Sequence, residues 1–140
     1  MAPVRIGVTG SVLNSLICDG CKIEGRVENS VLGPGVTVRK GCTVKNSIIF
    51  SGTYIDENTN LDTMIIDKGV YVGKNSILGY GDDFSANHEK PDLLSRGISV
   101  VGKKAILPDG SIVGRNVRIF GGVKLHDGNK FVHSGETIKG

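Results

Sequence analysis

Leu32-Gly33-Pro34-Gly35-Val36-Thr37-Val38-Arg39-Lys40-Gly41-Cys42-Thr43 reads as two consecutive six-residue units on one template. An aliphatic residue opens each unit, glycine stands fourth and a small residue fifth. Working outward, nine more units match. They open at Ile17, Ile49, Ile55, Ile66, Val72, Val101, Leu107, Val113 and Ile119. The fourth position is Gly or Asn in every unit except the one holding Lys104. Gly and Asn accept positive φ at little cost, so this column marks corners. The aliphatic is the side chain sent inward, and the few residues between corners suit short strands. No stretch before the tail has the spacing of an amphipathic helix.

A second period fixes the number of sides. Leu32, Ile49 and Ile66 are seventeen apart, as are Val38, Ile55 and Val72, and Val44, Leu61 and Leu78. Each coil is therefore two hexads and one pentad, and the first, Ile17 to Leu32, is two residues shorter. Asn14, Asn29 and Asn46 recur at the corner of the shortened side, each followed by Ser. Asparagine tolerates the turn and bonds to its neighbours in the stack. Fixed-period self-similarity of this kind specifies a solenoid. The expected fold is an all-β parallel β-helix of about five coils, roughly 25 Å tall at about 4.8 Å per layer. One excursion loop and a C-terminal cap over 126–140 complete it.

The 140 residues make one domain. Glycine numbers 21, aromatics are 5% and tryptophan is absent, which implies stacked aliphatic layers in place of a globular centre. Net charge is +3 with both signs interspersed, and no basic run interleaves with aromatics, against a nucleic-acid surface. Neither a signal peptide nor a membrane-length apolar run is present, so a cytoplasmic location is expected. Cys18 and Cys21 spell a CxxC, but Cys21 and Cys42 fall in the small fifth column, and buried thiols are the expectation.

The template stops at Leu78 and resumes at Val101. The polar segment between replaces a pentad step, an excursion of about eighteen residues within 79–100. Loops of that length usually carry function or contacts. His88 is its most chemical residue, and a solvated loop histidine is its plain reading. A zinc site combining His88 with His126 and His133 is disfavoured, since two lie beyond the last clear hexad. Lys68 and Lys103 are each the third residue of a hexad on one face. If the loop adds no coil they occupy consecutive layers, a like-charge stack that a phosphate would relieve.

Val44-Lys45-Asn46-Ser47-Ile48-Ile49, Met64-Ile65-Ile66-Asp67-Lys68-Gly69, the run Gly97 to Gly110, and Asn87-His88-Glu89-Lys90-Pro91-Asp92 carry a family resemblance. Over residues 12–125 the chain resembles the C-terminal β-helix domain of glucose-1-phosphate adenylyltransferases and related sugar-phosphate nucleotidyltransferases. The resemblance implies a left-handed helix and a parent enzyme converting ATP and glucose 1-phosphate to ADP-glucose and pyrophosphate. It also implies Mg²⁺ in an N-terminal catalytic domain, control by phosphorylated metabolites, and a homo-oligomer held partly by this domain. Lys68 and Lys103 match activator-binding lysines of the plant members. No Gly-rich phosphate loop and no carboxylate pair suited to Mg²⁺ is present here, so the chain by itself is expected to be inactive. Two alternatives stand: a hexapeptide acyltransferase using acyl-CoA with His88 as base, and a purely structural module.

Overall fold

The computed structural model describes residues 3–140, and every strand in it is short and parallel to its neighbours. The chain winds through three sheets in rotation. The first sheet stacks Arg5–Ile6, Lys22–Ile23, Thr37–Val38, Tyr54–Ile55, Tyr71–Val72 and Ile106–Leu107. The second stacks Ser11–Leu13, Arg26–Glu28, Thr43–Lys45, Asn60–Asp62, Ile77–Leu78, Ile112–Val113 and Phe131–Val132. The third stacks Leu16–Ile17, Val31–Leu32, Ile48–Ile49, Met64–Ile66, Ser99–Val101, Arg118–Ile119 and Thr137–Ile138.

The corner column does what its residue types suggest. All eleven fourth-position residues have positive φ, from 56° at Asn116 to 79° at Gly20. Lys104, the one residue there that is neither Gly nor Asn, is held at φ 60°. Ten of the eleven opening aliphatics are buried and Ile17, in the first coil, is half-buried; all eleven small residues after the corners are buried. The asparagine ladder also forms: Asn14 Nδ2 donates to Asn29 Oδ1 (2.7 Å), and Asn46 Nδ2 to Asp62 Oδ1 (3.2 Å).

Two of the sheets have seven strands, so the stack is taller than the five coils expected. The extra turns lie at the ends, where strand pairing persists although the hexad columns lapse. Arg5 pairs with Lys22 and Ser11 with Arg26 at one end; Phe131 pairs with Ile112 and Thr137 with Arg118 at the other. Residues 126–140, expected as a less regular cap, contribute two strands to the stack, Phe131–Val132 and Thr137–Ile138. Backbone pairing needs only extended residues in register, whereas the side-chain template is imposed by neighbours on both sides, which terminal coils lack.

The excursion adds no layer. Tyr71 pairs with Ile106 and Val72 with Leu107, so residues 35 apart occupy adjacent rungs, one coil of seventeen plus eighteen more. The loop is pinned along the stack. Buried Asn87 donates through Nδ2 to Asn116 O (3.0 Å), Glu136 O (3.3 Å) and Thr137 Oγ1 (3.1 Å). Asn116 Nδ2 in turn donates to Phe84 O and Ser85 O (both 3.1 Å), and its Oδ1 accepts from Gly97 N (2.7 Å). Arg115 lies over the Phe84 ring at 4.9 Å and donates to Gly81 O. Among the described residues no helix is long and apolar enough to cross a membrane.

Candidate functional site

Lys68 and Lys103 sit at the corner that follows the third sheet. Ile66 pairs with Val101, Lys104 N donates to Lys68 O (2.9 Å) and Gly122 N to Lys103 O (2.8 Å). The two lysines are therefore consecutive rungs of one corner, about 5 Å apart along the backbone. Both are exposed. Lys104 adds a third cation, its Cγ lying 3.6 Å from where a Cβ on Gly69 would stand. Asp67 is the local counterweight; its Oδ1 accepts the Lys68 backbone N–H (2.7 Å). Above Lys103 the next corner is Gly121-Gly122, with no side chains, so the rung beyond the lysines is open. The arrangement suits a small multivalent oxyanion, because ammonium groups are compact charges with rotatable donors.

A second polar ladder crosses the first sheet. Arg39 donates through Nε to Glu24 Oε1 (2.8 Å) and through Nη1 to the Tyr54 hydroxyl (2.5 Å). Tyr54 stacks on Tyr71 with centroids 5.8 Å apart, and the Tyr71 hydroxyl donates to Asp56 Oδ2 (2.7 Å). The hydrogen bond to Asp56, with burial and the carboxylate's charge, pushes the Tyr71 hydroxyl up to about 12. Burial pushes the Asp56 carboxyl up, but the Tyr71 hydroxyl, the Glu57 amide and nearby Lys74 and Arg39 outweigh it and hold it below the usual carboxylate value. Sequence reasoning missed this ladder. The signal was available, since Tyr54 and Tyr71 are one coil apart.

The structure places the remaining candidates apart. His88 is exposed, its backbone N–H donates to Gly135 O (2.8 Å), and its ring lies against Gly135. Its neighbour Glu89 is held by Lys139 Nζ (2.7 Å), so that carboxylate is engaged elsewhere. Among the described residues no three or more His, Cys, Asp or Glu side chains are grouped to hold a metal, and His88, His126 and His133 form no such set. Cys21 Sγ donates to Gly33 O (3.1 Å) and Cys42 Sγ to Asp56 O (2.8 Å). Burial pushes both thiols up, and all three cysteines are free. Asn87, the residue that ties the loop down, was marked in the sequence only by its place in the excursion and in the segment Asn87 to Asp92 that carries the resemblance.

Residues 4–101 match the family described as GlmU-like, C-terminal hexapeptide. The chain belongs to this family. Curated relatives sharpen the likeness. The glucose-1-phosphate adenylyltransferase of Acetivibrio thermocellus is 42% identical over 140 residues, covering 94% of this chain and 33% of that protein. That of Thermotoga maritima is 47% identical over 139 residues, covering 99% and 33%. The chain thus spans about a third of the length of these relatives, and matches their C-terminal part. Among solved structures, the acetyltransferase domain of PglB from Neisseria gonorrhoeae with acetyl coenzyme A aligns with TM-score 0.59 and 15% identity, covering 97% of this chain and 51% of that one. PerB from Caulobacter crescentus, with CoA and GDP-perosamine, aligns with TM-score 0.55 and 17% identity, covering 99% and 49%. At that identity the likeness is one of fold.

Proposed function

We propose that this chain is the regulatory and assembly domain of a glucose-1-phosphate adenylyltransferase, and that Lys68 and Lys103 receive a phosphate group of an effector. The observation that carries the reading is a match of nearly the whole chain, at 42–49% identity, to one third of enzymes of that name. The lysine pair supports the second half. Two exposed ammonium groups on adjacent rungs, with a third from Lys104 and bare glycines above, repel one another until an anion joins them. The rigid stack fixes their spacing before any ligand arrives, so little ordering is needed on binding. In this reading magnesium, which the family resemblance implies for the transfer step, belongs to the catalytic part of the parent enzyme.

The test belongs in the full-length parent. Lys68→Gln and Lys103→Gln each shift the concentration of sugar bisphosphate giving half-activation by roughly fivefold or more, the lower end of ordinary allosteric coupling. Basal activity and the circular dichroism spectrum stay as they were. Unchanged effector curves in both variants would reduce the pair to solvated surface charge. The isolated chain releases no pyrophosphate from ATP and glucose 1-phosphate above a protein-free control. Acetyl transfer from acetyl-CoA that vanishes in His88→Ala would displace the reading in favour of an acyltransferase.

A further inference from the structure

The outward positions of the first sheet read, in register along the stack, Arg5, Lys22, Thr37, Tyr54, Tyr71 and Ile106. Thr37 is the one short side chain among long neighbours. At about 4.8 Å per rung it leaves a depression roughly 10 Å across between Lys22 and Tyr54. Arg39 and Glu24 wall the corner edge of this depression, and at Gly7 the edge carries no side chain. The cleft encloses about 440 Å³, within the range of small-molecule sites, about 300–1,000 Å³. Lys68 and Lys103 lie at the corner on the other edge of the sheet, beside later rungs, so the two places are separate.

The two ends of the cleft differ in chemistry. At one end stands Tyr54, which is held in place: its ring stacks on Tyr71, and its hydroxyl accepts from Arg39 Nη1. One face of the ring is thereby occupied, and the opposite face borders the cleft. At the other end stand Lys22 and Arg5, both exposed. Among the described residues neither has an ion-pair partner. The one carboxylate in the lining, Glu24, is engaged by Arg39 Nε at 2.8 Å. Two uncommitted cations therefore face an aromatic surface across a threonine floor.

We propose that this cleft binds a nucleoside phosphate, its base against the free face of Tyr54 and its phosphate between Lys22 and Arg5. The spacing fits such a ligand. A base above Thr37 takes the first rung below Tyr54, and the phosphate falls one to two rungs further, about 5–10 Å away, where the cations stand. Every base has a π-face, so stacking asks only for a ring. The ammonium and guanidinium supply charge-assisted hydrogen bonds to the phosphate oxygens. Thr37 and Glu24 line the span between, beside the ribose. A sugar phosphate would satisfy the cations and leave Tyr54 bare; an uncharged aromatic compound would do the reverse. Because the Tyr71 stack and the Arg39 bond fix Tyr54 beforehand, little ordering is needed on binding. The inference does not rest on the adenylyltransferase reading.

Amide-resolved NMR titration of the chain with adenosine 5′-monophosphate tests the site. The expected result is saturable binding, with a dissociation constant of about 1 mM or tighter, that moves the amides of Lys22, Thr37 and Tyr54. Adenosine, inorganic phosphate and glucose 6-phosphate, each lacking the phosphate or the aromatic ring, bind roughly tenfold more weakly or worse. Lys22→Gln, at an exposed position, and Tyr54→Leu each weaken the nucleotide about fivefold or more. Thr37→Tyr fills the depression and extends the tyrosine stack without altering charge; it abolishes binding and leaves the unfolding midpoint no lower. Lys68→Gln leaves the shifts at Lys22 as they were. No saturable shift by about 10 mM overturns the proposal. So does glucose 6-phosphate binding as tightly as the nucleotide, a set of shifts confined to Lys68 and Lys103, or affinity that survives Lys22→Gln. Because these readouts are local to the cleft, their failure leaves the adenylyltransferase reading as it stood.

Discussion

Replacing Asn87 with alanine removes the buried loop side chain that ties the excursion to the last two coils. In the native fold its Nδ2 donates to Asn116 O, Glu136 O and Thr137 Oγ1, and its Oδ1 accepts from Glu89 N (3.0 Å) and Lys90 N (2.9 Å). After substitution Arg118 N still donates to Glu136 O, and the two loop amides turn to water. Asn116 O is left without the donor that satisfied it. One buried carbonyl stripped of its partner costs about 1–3 kcal/mol, and each remaining bond lost costs about 0.5–1.5 kcal/mol. A total of about 3 kcal/mol follows. For a chain of 140 residues the unfolding entropy is about 0.3 kcal/mol/K, so the midpoint falls by about 10 °C. Calorimetry measures that shift, and limited proteolysis reads the loop directly, since cleavage within 79–98 accelerates far more than cleavage in the coils. Asn87→Asp destabilises further, because a second acceptor then faces the carbonyls of Asn116 and Glu136. A midpoint within 2 °C of the parent (roughly 0.6 kcal/mol), with the loop no more sensitive to protease, would refute the assignment of this anchor.

Four further outcomes are expected. Lys104→Gly relieves a non-glycine residue held at φ 60° and raises stability by about 1 kcal/mol in urea unfolding, less whatever the added chain entropy of glycine removes. Tyrosinate absorbance titrates Tyr71 near 12, and Asp56→Asn brings that step back toward the ordinary value near 10. The same pair sets the acid limb: the lowered Asp56 contributes fully above the usual carboxylate range, and its contribution is lost as pH falls through its native value, so Asp56→Asn flattens stability below about pH 4. A thiol reagent modifies half-buried Cys18 first, while Cys21 and Cys42, buried with raised pKa, react only as the chain unfolds.

Corners and core were readable in advance because a solenoid repeats each constraint. A single Gly35 says little, but Gly35, Gly52 and Gly69 at one spacing identify a position where φ must be positive. The consecutive placement of Lys68 and Lys103 followed from the same arithmetic. The end coils were not readable, since Arg5–Ile6 and Thr137–Ile138 pair on one side only and their side chains escape the template. The Asn87 anchor was hidden for a different reason. Two of its partners are backbone carbonyls 29 and 49 residues away, and a carbonyl leaves no trace in residue type.

The register of the stack also governs how the chain finds it. Most strands pair with a segment 15 to 19 residues along, so the mean contact separation is about 20 residues, or about 0.14 of the chain length. That value belongs to mixed α/β domains rather than to sandwiches and barrels, and folding in milliseconds is the corresponding expectation. Growth from any coil is a zipper, each turn templating the next, until it meets the rung whose three pairings, Met64 with Ser99, Tyr71 with Ile106 and Ile77 with Ile112, each span 35 residues. There the loop must be paid out before the next rung can dock, and the zipper stalls. Kinetically the molecule is two short ladders spliced once, and substitutions around Asn87 and Asn116, which clamp that splice, are where folding and unfolding rates will respond most.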